Sequence, residues 1–232
     1  MDLIWEGLRK ALELLLTLDP EVLRITLLSL KVSGLATLIS LVVGLGVAVP
    51  VALNEFPGKR LVIALLNTGM GLPPVVVGLF VTVLLWRNGP FGFLEILYTP
   101  TAMILAQAVI ASPIIAGISL SALQHLPPGL RLQILALGAS RPQMVWLLLK
   151  EARLPLLAAV MAGFGGVISE VGASIMVGGN IKGQTRVLTT ATVMETSKGN
   201  FEVAFALSIL LLALAFAVNA VLTHVQQRDR SR

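Results

Sequence analysis

One carboxylate, Glu170, lies deep inside the apolar stretches of this 232-residue chain. A charged acid at bilayer depth costs several kcal/mol, so it must be neutral, paired or facing water. Its neighbours are small or hydroxylated: Gly163, Gly165, Gly166, Ser169, Gly172, Ala173 and Ser174. That setting suits a carboxyl that hydrogen-bonds backbone or hydroxyl groups and fixes a helix break. Direct contact with an anion is the poorer reading, because a bare carboxylate repels one. The rest of the inventory argues against covalent chemistry. Cysteine is absent, and His125 and His224 are the only histidines. There is no HExxH for zinc hydrolysis and no GxxxxGK[ST] to cradle nucleotide phosphates. No paired intramembrane aspartates and no serine–histidine couple stand out. The chain is therefore read as carrying no catalytic residue and binding no metal or cofactor of its own.

The elements that hold Glu170 must be membrane helices. Hydrophobic residues make up 56% of the chain and charged residues 12%, where soluble domains carry about 25% charged. Mean hydropathy is +0.91. The net charge of +5 comes from cations scattered between apolar runs. They form no aromatic-interleaved stripe, which excludes nucleic acid as the partner and fits loops at headgroup level.

Apolar runs over residues 25–53, 61–86, 100–126, 154–181 and 201–227 predict an all-α polytopic membrane protein with five transmembrane helices, each longer than the ~20 residues a span requires. Residues 1–19 predict an N-terminal amphipathic interfacial helix, with Ile4, Leu8, Leu12, Leu15 and Leu18 on one face and Trp5 as an anchor; packing of that helix on the spans is the alternative. Its charges exclude a signal peptide, and Asp19-Pro20 ends it. Lys31 is expected to snorkel from the first turns of the first span. Pro73 and Pro74, beside Gly69 and Gly71, should kink the second. Asn67, Gln107 and Asn219 are polar residues within spans, where interhelical hydrogen bonding is the default. Five spans put the termini on opposite sides. With the C-terminus inside, the cytoplasmic segments hold nine Lys and Arg residues against seven outside, a slight preference for that orientation.

Residues 131–153 differ in kind, with Arg131, Arg141, Lys150, Glu151 and Arg153 set among leucines. The pattern predicts a helix, a break at Gly138, and a second helix capped by Ser140, with Gln143 completing a capping box and Pro142 in the first turn. Such an elbow either docks a soluble partner, which Gly138, Ala139 and Ser140 would let approach closely, or lies on the headgroups.

Leu137-Gly138-Ala139-Ser140-Arg141 resembles the glycine centre of the cytoplasmic loop in permeases of ABC uptake transporters. The acidic-Ala-Ala of that loop is replaced here by Leu132-Gln133-Ile134, and its Leu-Pro arrives about one turn late, at Leu154-Pro155, after Lys150-Glu151-Ala152-Arg153. Ile168-Ser169-Glu170-Val171-Gly172-Ala173 resembles the matching segment of molybdate, sulfate and tungstate permeases. Together with Met176-Val177-Gly178-Gly179-Asn180-Ile181 and Thr189-Thr190-Ala191 it is most similar to the tungstate branch, which shares the Lys-Glu-Ala-Arg stretch.

The resemblance implies a type I ABC importer permease fold, with a permease domain over 22–227 in a prokaryotic cytoplasmic (inner) membrane. It implies a homodimer, two separate ATPase subunits that bind ATP-Mg, and an external oxyanion-binding protein. It also implies a cytoplasmic C-terminus and an external N-terminus. Leu137, Gly138, Ala139, Ser140, Arg141, Gln143 and Trp146 then become the ATPase-coupling residues. Gly166, Ser169, Glu170, Gly172, Ala173 and Ser174 become the path or gate. Gly178, Gly179, Asn180, Lys182 and Arg186 fall on an outer loop. That loop, with Lys198 and the hydroxyls of Thr185, Thr189, Thr190 and Thr192, either draws in a dianion by its field or is a solvated loop, which is the better reading. Rival expectations are a stand-alone secondary transporter or channel, a recruiting scaffold, or an ABC permease for another small solute.

Overall fold

The structure is a computed structural model and describes residues 5–7, 9, 10, 13 and 19–230. The interfacial helix expected over 1–19 lies largely outside the described residues.

Helix α1 runs Pro20–Leu53. The Asp19 carboxylate accepts from the backbone N–H of Glu21 and Val22 at 2.9 and 3.0 Å, and Pro20 fills the first position, where no N–H is needed. Its 34 residues reach about 51 Å at 1.5 Å each, well beyond the ~30 Å hydrocarbon core. Because the helix starts at Pro20 and not near residue 25, Lys31 sits about three turns in, deeper along the helix than expected. At the far end Asn54 closes the helix by donating both its backbone N–H and its side-chain Nδ2 to the Pro50 carbonyl.

The second expected span is two helices, α2 (Lys59–Met70) and α3 (Pro74–Leu85), bent by 102°. Pro74 has no N–H, and Pro73 before it is held extended, so the chain cannot continue straight. After a 3₁₀ turn at Gly92–Leu94, α4 runs Pro100–Gln124 through the middle of the bundle. It lies close along α1: Ser40 Oγ donates to the Ala108 carbonyl at 3.0 Å, and a Cβ on Gly44 would come within 3.0 Å of the Ala116 nitrogen. Small residues at such crossings let backbones approach in lipid. The core of the bundle gathers Val32, Val81, Met103, Ile110 and Val177.

Two short helices, α5 (Leu130–Ala136) and α6 (Arg141–Glu151), form the elbow. Next come α7 (Arg153–Ile168) and α8 (Gly172–Gly178), bent by 60°, then α9 (Leu188–Ser197) and α10 (Phe201–Arg230). Among the described residues three helices, α1, α4 and the part of α10 over residues 201–227, are long and apolar enough to cross a membrane unbroken; α2–α3 and α7–α8 pass only as bent pairs.

The polar stretch 182–200 was expected to be a loop, but it folds around α9. The hydroxyls of Thr185, Thr189 and Thr190 turn inward, while Thr196 and Ser197 stay exposed. The Thr190 hydroxyl oxygen accepts from the Val187 N–H at 3.1 Å, Thr192 Oγ1 donates to the Leu188 carbonyl at 2.9 Å, and Ser29 on α1 accepts the Leu188 N–H at 2.8 Å. Leu188, Ala191, Leu207, Leu210 and Ile25 then bury a small core between α9, α10 and α1.

The α9–α10 turn carries a pH dependence. Hydrogen bonds from Asn200, at 2.7 Å, and Lys198, at 2.9 Å, hold the Glu195 carboxyl below its ordinary value of 4.5. A depressed acid contributes stability that is present above its unfolded pKa and is lost as pH falls through the lowered folded one. Amide protection at this turn should therefore be constant from neutrality to mild acid and drop below the ordinary carboxylate range. Asn200→Ala should move that drop to higher pH.

Candidate functional site

The elbow is built by helix-end chemistry. Gly138 has φ +85°, which a residue with a Cβ adopts only with strain. It donates its N–H to the Leu135 carbonyl at 3.0 Å while Ala139 donates to Ile134 at 3.3 Å, the paired bonds of a Schellman ending. Two residues on, Ser140 starts α6 with the predicted capping box, and its N–H donates to Gln143 Oε1 at 2.8 Å. Ile134, Met144 and Leu148 face inward and pack on Leu123 and Ala152. An Arg131 guanidinium nitrogen donates to the Leu53 carbonyl, tying α5 to the end of α1. The outward face presents Leu132, Leu137 and Trp146 at 69, 88 and 68% exposure, with Arg141 exposed at the first turn of α6.

Glu170 lies in the three-residue break between α7 and α8 and is 8% exposed. Its Oε1 accepts from the Ala173 N–H at 2.9 Å, so the carboxyl satisfies a backbone donor that the break would otherwise orphan. Its carbonyl accepts from Thr189 Oγ1 at 2.9 Å, joining the break to α9. Ser169 faces outward and donates back to the Gly165 carbonyl at 2.8 Å. Ser174 is buried and accepts from Gln107 Nε2 of α4 at 3.0 Å, an interhelical bond of the kind expected for Gln107. Asn219 departs from that default: its Nδ2 donates to the Ala215 carbonyl of its own helix at 3.0 Å.

The small residues divide by use. A Cβ on Gly172 would meet Val75 at 2.7 Å, and one on Gly78 would meet the Ala173 Cα at 2.7 Å, so α3 and α8 touch backbone to backbone. Gly163 and Gly178 are filled in the same way by Ile115 and Met103, whereas Gly166 has only Ile114 at 3.6 Å and Gly165 faces open space. Gly78→Val should therefore overpack the contact between the two half-helices by about 1–3 kcal/mol. The check is a lower melting temperature in detergent, with Gly165→Ala unchanged beside it.

The loop after α8, expected to lie outside, is braced and not loose. Gly179 ends α8 at φ +71°, and Asn180 follows at φ +50° with Nδ2 donating to the Thr190 carbonyl at 3.4 Å. Thr185, fully buried, accepts the Ile181 N–H at 2.9 Å and donates to the Gly178 carbonyl at 2.5 Å. Thr189 and Thr190 are buried as well, which corrects their reading as solvent-facing hydroxyls. Lys182 and Arg186 both pair with Glu21 of α1, at 2.7 and 3.5 Å, and Lys198 pairs with Glu195. Glu21, Ser29 and Thr185 are the site residues that sequence reasoning undervalued. The acid one residue into α1, opposite a basic loop, was the available signal for the first.

Among the described residues, three unbroken apolar helices and two bent pairs, one of them hinged at a hydrogen-bonded break, with an elbow at one end, define a polytopic helical membrane protein. The family described as the binding-protein-dependent transport system inner membrane component matches residues 40–231, and the chain belongs to it. Among its relatives is the tungstate uptake system permease protein TupB of Peptoclostridium acidaminophilum, 41% identical over 98% of this chain and 100% of that one. A probable anion ABC transporter permease protein of Haloferax volcanii is 43% identical over 90% of this chain and 92% of its own length. A chain of the MetNI methionine ABC transporter, solved in inward-facing conformations, shares the fold with a TM-score of 0.74 at 22% identity, covering 90% of this chain and 98% of that one.

Proposed function

We propose that this chain is the membrane permease subunit of an ATP-driven uptake system for tungstate or a similar tetrahedral oxyanion such as molybdate or sulfate. In this reading two copies form a homodimer in a prokaryotic inner membrane, because five helices are too few to line a hydrated path. The bent pairs α2–α3 and α7–α8 count as the second and fourth spans. The C-terminus and the elbow are cytoplasmic and the N-terminus external. Two ATPase subunits, which carry the ATP-Mg, dock at Leu137–Trp146. An external binding protein delivers the anion and supplies most of the selectivity, since a path that bound the ion tightly would trap it.

The observation that carries the reading is the elbow. Its underside is anchored in the bundle while Leu137 and Trp146 stand almost free of the chain. A rigid shelf of exposed apolar groups with a tightly specified turn is what a docking partner requires, and α7, which begins directly after it, leads to the Glu170 break. The break is the proposed gate.

The test is uptake into proteoliposomes containing the permease, its ATPase and the external binding protein. Tungstate should accumulate only with internal ATP and binding protein, ahead of sulfate. Uptake without ATP would show a secondary transporter or channel and end the proposal. ATP-driven uptake that ignores every oxyanion would leave a permease for another solute.

A further inference from the structure

At the end of α1 that carries Pro20 the structure opens a cavity of about 430 Å³, walled by Glu21, Arg24, Ile25 and Leu28 on one side and by Lys182 and Arg186 on the other. Lys182 and Arg186 share the single carboxylate of Glu21, and Arg186 Nε is buried without a hydrogen-bond acceptor. Arg24 is exposed and leans over the loop, its Nη1 3.4 Å from where a Cβ on Gly183 would sit. Lys31, also exposed, follows seven residues later, within about 20° on the helix surface. Its side chain tilts toward the helix N-terminus, and therefore toward Arg24. Neither Arg24 nor Lys31 forms an ion pair among the described residues. Two cations thus share one carboxylate, Arg24 lines the same cavity, and Lys31 lies along the same face of the helix.

The surface that continues from them is apolar. Leu27, Leu35, Leu38 and Val42 fall on the same stripe of α1 and are 59, 40, 60 and 73% exposed. The helix is long and apolar enough to cross a membrane, so the stripe lies against acyl chains.

We infer that this cavity and stripe hold one anionic phospholipid, its phosphate diester between Arg24, Lys31 and Lys182 and an acyl chain along Leu27 and Leu38. A free oxyanion has no use for the stripe. A soluble protein docking on the outer loop cannot reach Lys31, about two turns further along the helix than Arg24. A lipid meets both ends at once, because the long Lys31 stem runs back along the helix toward headgroup level. The inference does not depend on the transport reading, since it concerns the chain alone in a membrane.

The experiment is native mass spectrometry of the full-length chain released from nanodiscs containing phosphatidylcholine with a minor fraction of phosphatidylglycerol. Wild type should retain phosphatidylglycerol preferentially, and Arg24→Gln and Lys31→Gln should each weaken retention roughly fivefold. Both residues are exposed, so folding is unaffected, and melting curves verify it. Equal retention in wild type and the double variant overturns the inference. Complete displacement by inorganic phosphate overturns it in favour of a free-oxyanion site. Unchanged lipid retention with lost docking of the binding protein overturns it in favour of a protein surface.

Discussion

Trp146→Ala should cut the affinity of the permease for its ATPase by roughly 30-fold or more, the effect of losing an aromatic hot spot worth about 2 kcal/mol, while the protein still inserts and melts as wild type. The fold is spared because Trp146 is 68% exposed and contributes nothing to the cluster of Ile134, Met144 and Leu148 beneath it. Trp146→Phe should recover much of the loss, because the partner reads apolar area and shape. Gly138→Val should act by another route. There is open space around the glycine, so nothing clashes, but at φ +85° a β-branched residue strains the turn that sets the angle between α5 and α6. Its signature is normal insertion, weakened ATPase binding, and no recovery on enlarging the partner's pocket. The competing view makes Trp146 a headgroup anchor. It predicts unchanged ATPase binding in both variants, and pull-down of the ATPase by the detergent-solubilised permease separates the two.

The elbow was legible in the sequence because its determinants are local. The positive-φ glycine, the serine cap, the glutamine three residues later and the proline in the first turn lie within six residues, and each has one structural use. The double proline at 73–74 was equally readable as a disruption, but its 102° consequence was not, because the angle is fixed by α3 packing on Ala173 a hundred residues away. The stretch 182–200 misled for a related reason. Threonines read as solvent-facing when no partner is visible, yet the Leu188 N–H finds Ser29 and the Glu170 carbonyl finds Thr189, pairings 159 and 19 residues apart. Lys182 and Arg186 likewise find Glu21 across the whole chain. What composition and spacing could not supply was long-range satisfaction of polar groups, which in a membrane protein decides whether a polar segment is a loop or a wall.

The Glu170 break tests that principle at its most sensitive point, through the contrast between Glu170→Gln and Glu170→Ala. If the carboxyl serves to satisfy the Ala173 N–H, glutamine can do the same through its own Oε1, and transport should stay close to wild type. Alanine leaves that donor unpaired at a buried position, which costs about 1–3 kcal/mol. The loss falls on whichever conformation holds α8 at 60° to α7. A coupling of that size corresponds to a roughly 5- to 150-fold shift between the two conformations, so ATP-driven uptake should fall while the chain still inserts and its ATPase still binds. Thr189→Val should give a smaller loss in the same direction, since it removes only the bond from α9 to the Glu170 carbonyl, and combining it with Glu170→Ala should be less than additive because both act on one break. Were the negative charge itself required, as a counter-ion or a proton carrier, glutamine would be as damaging as alanine. Equal loss in those two variants would thus remove the helix-break role. Intact uptake in both would remove Glu170 from the gate altogether, leaving α8 positioned by its packing on α3 at Gly78 and Gly172.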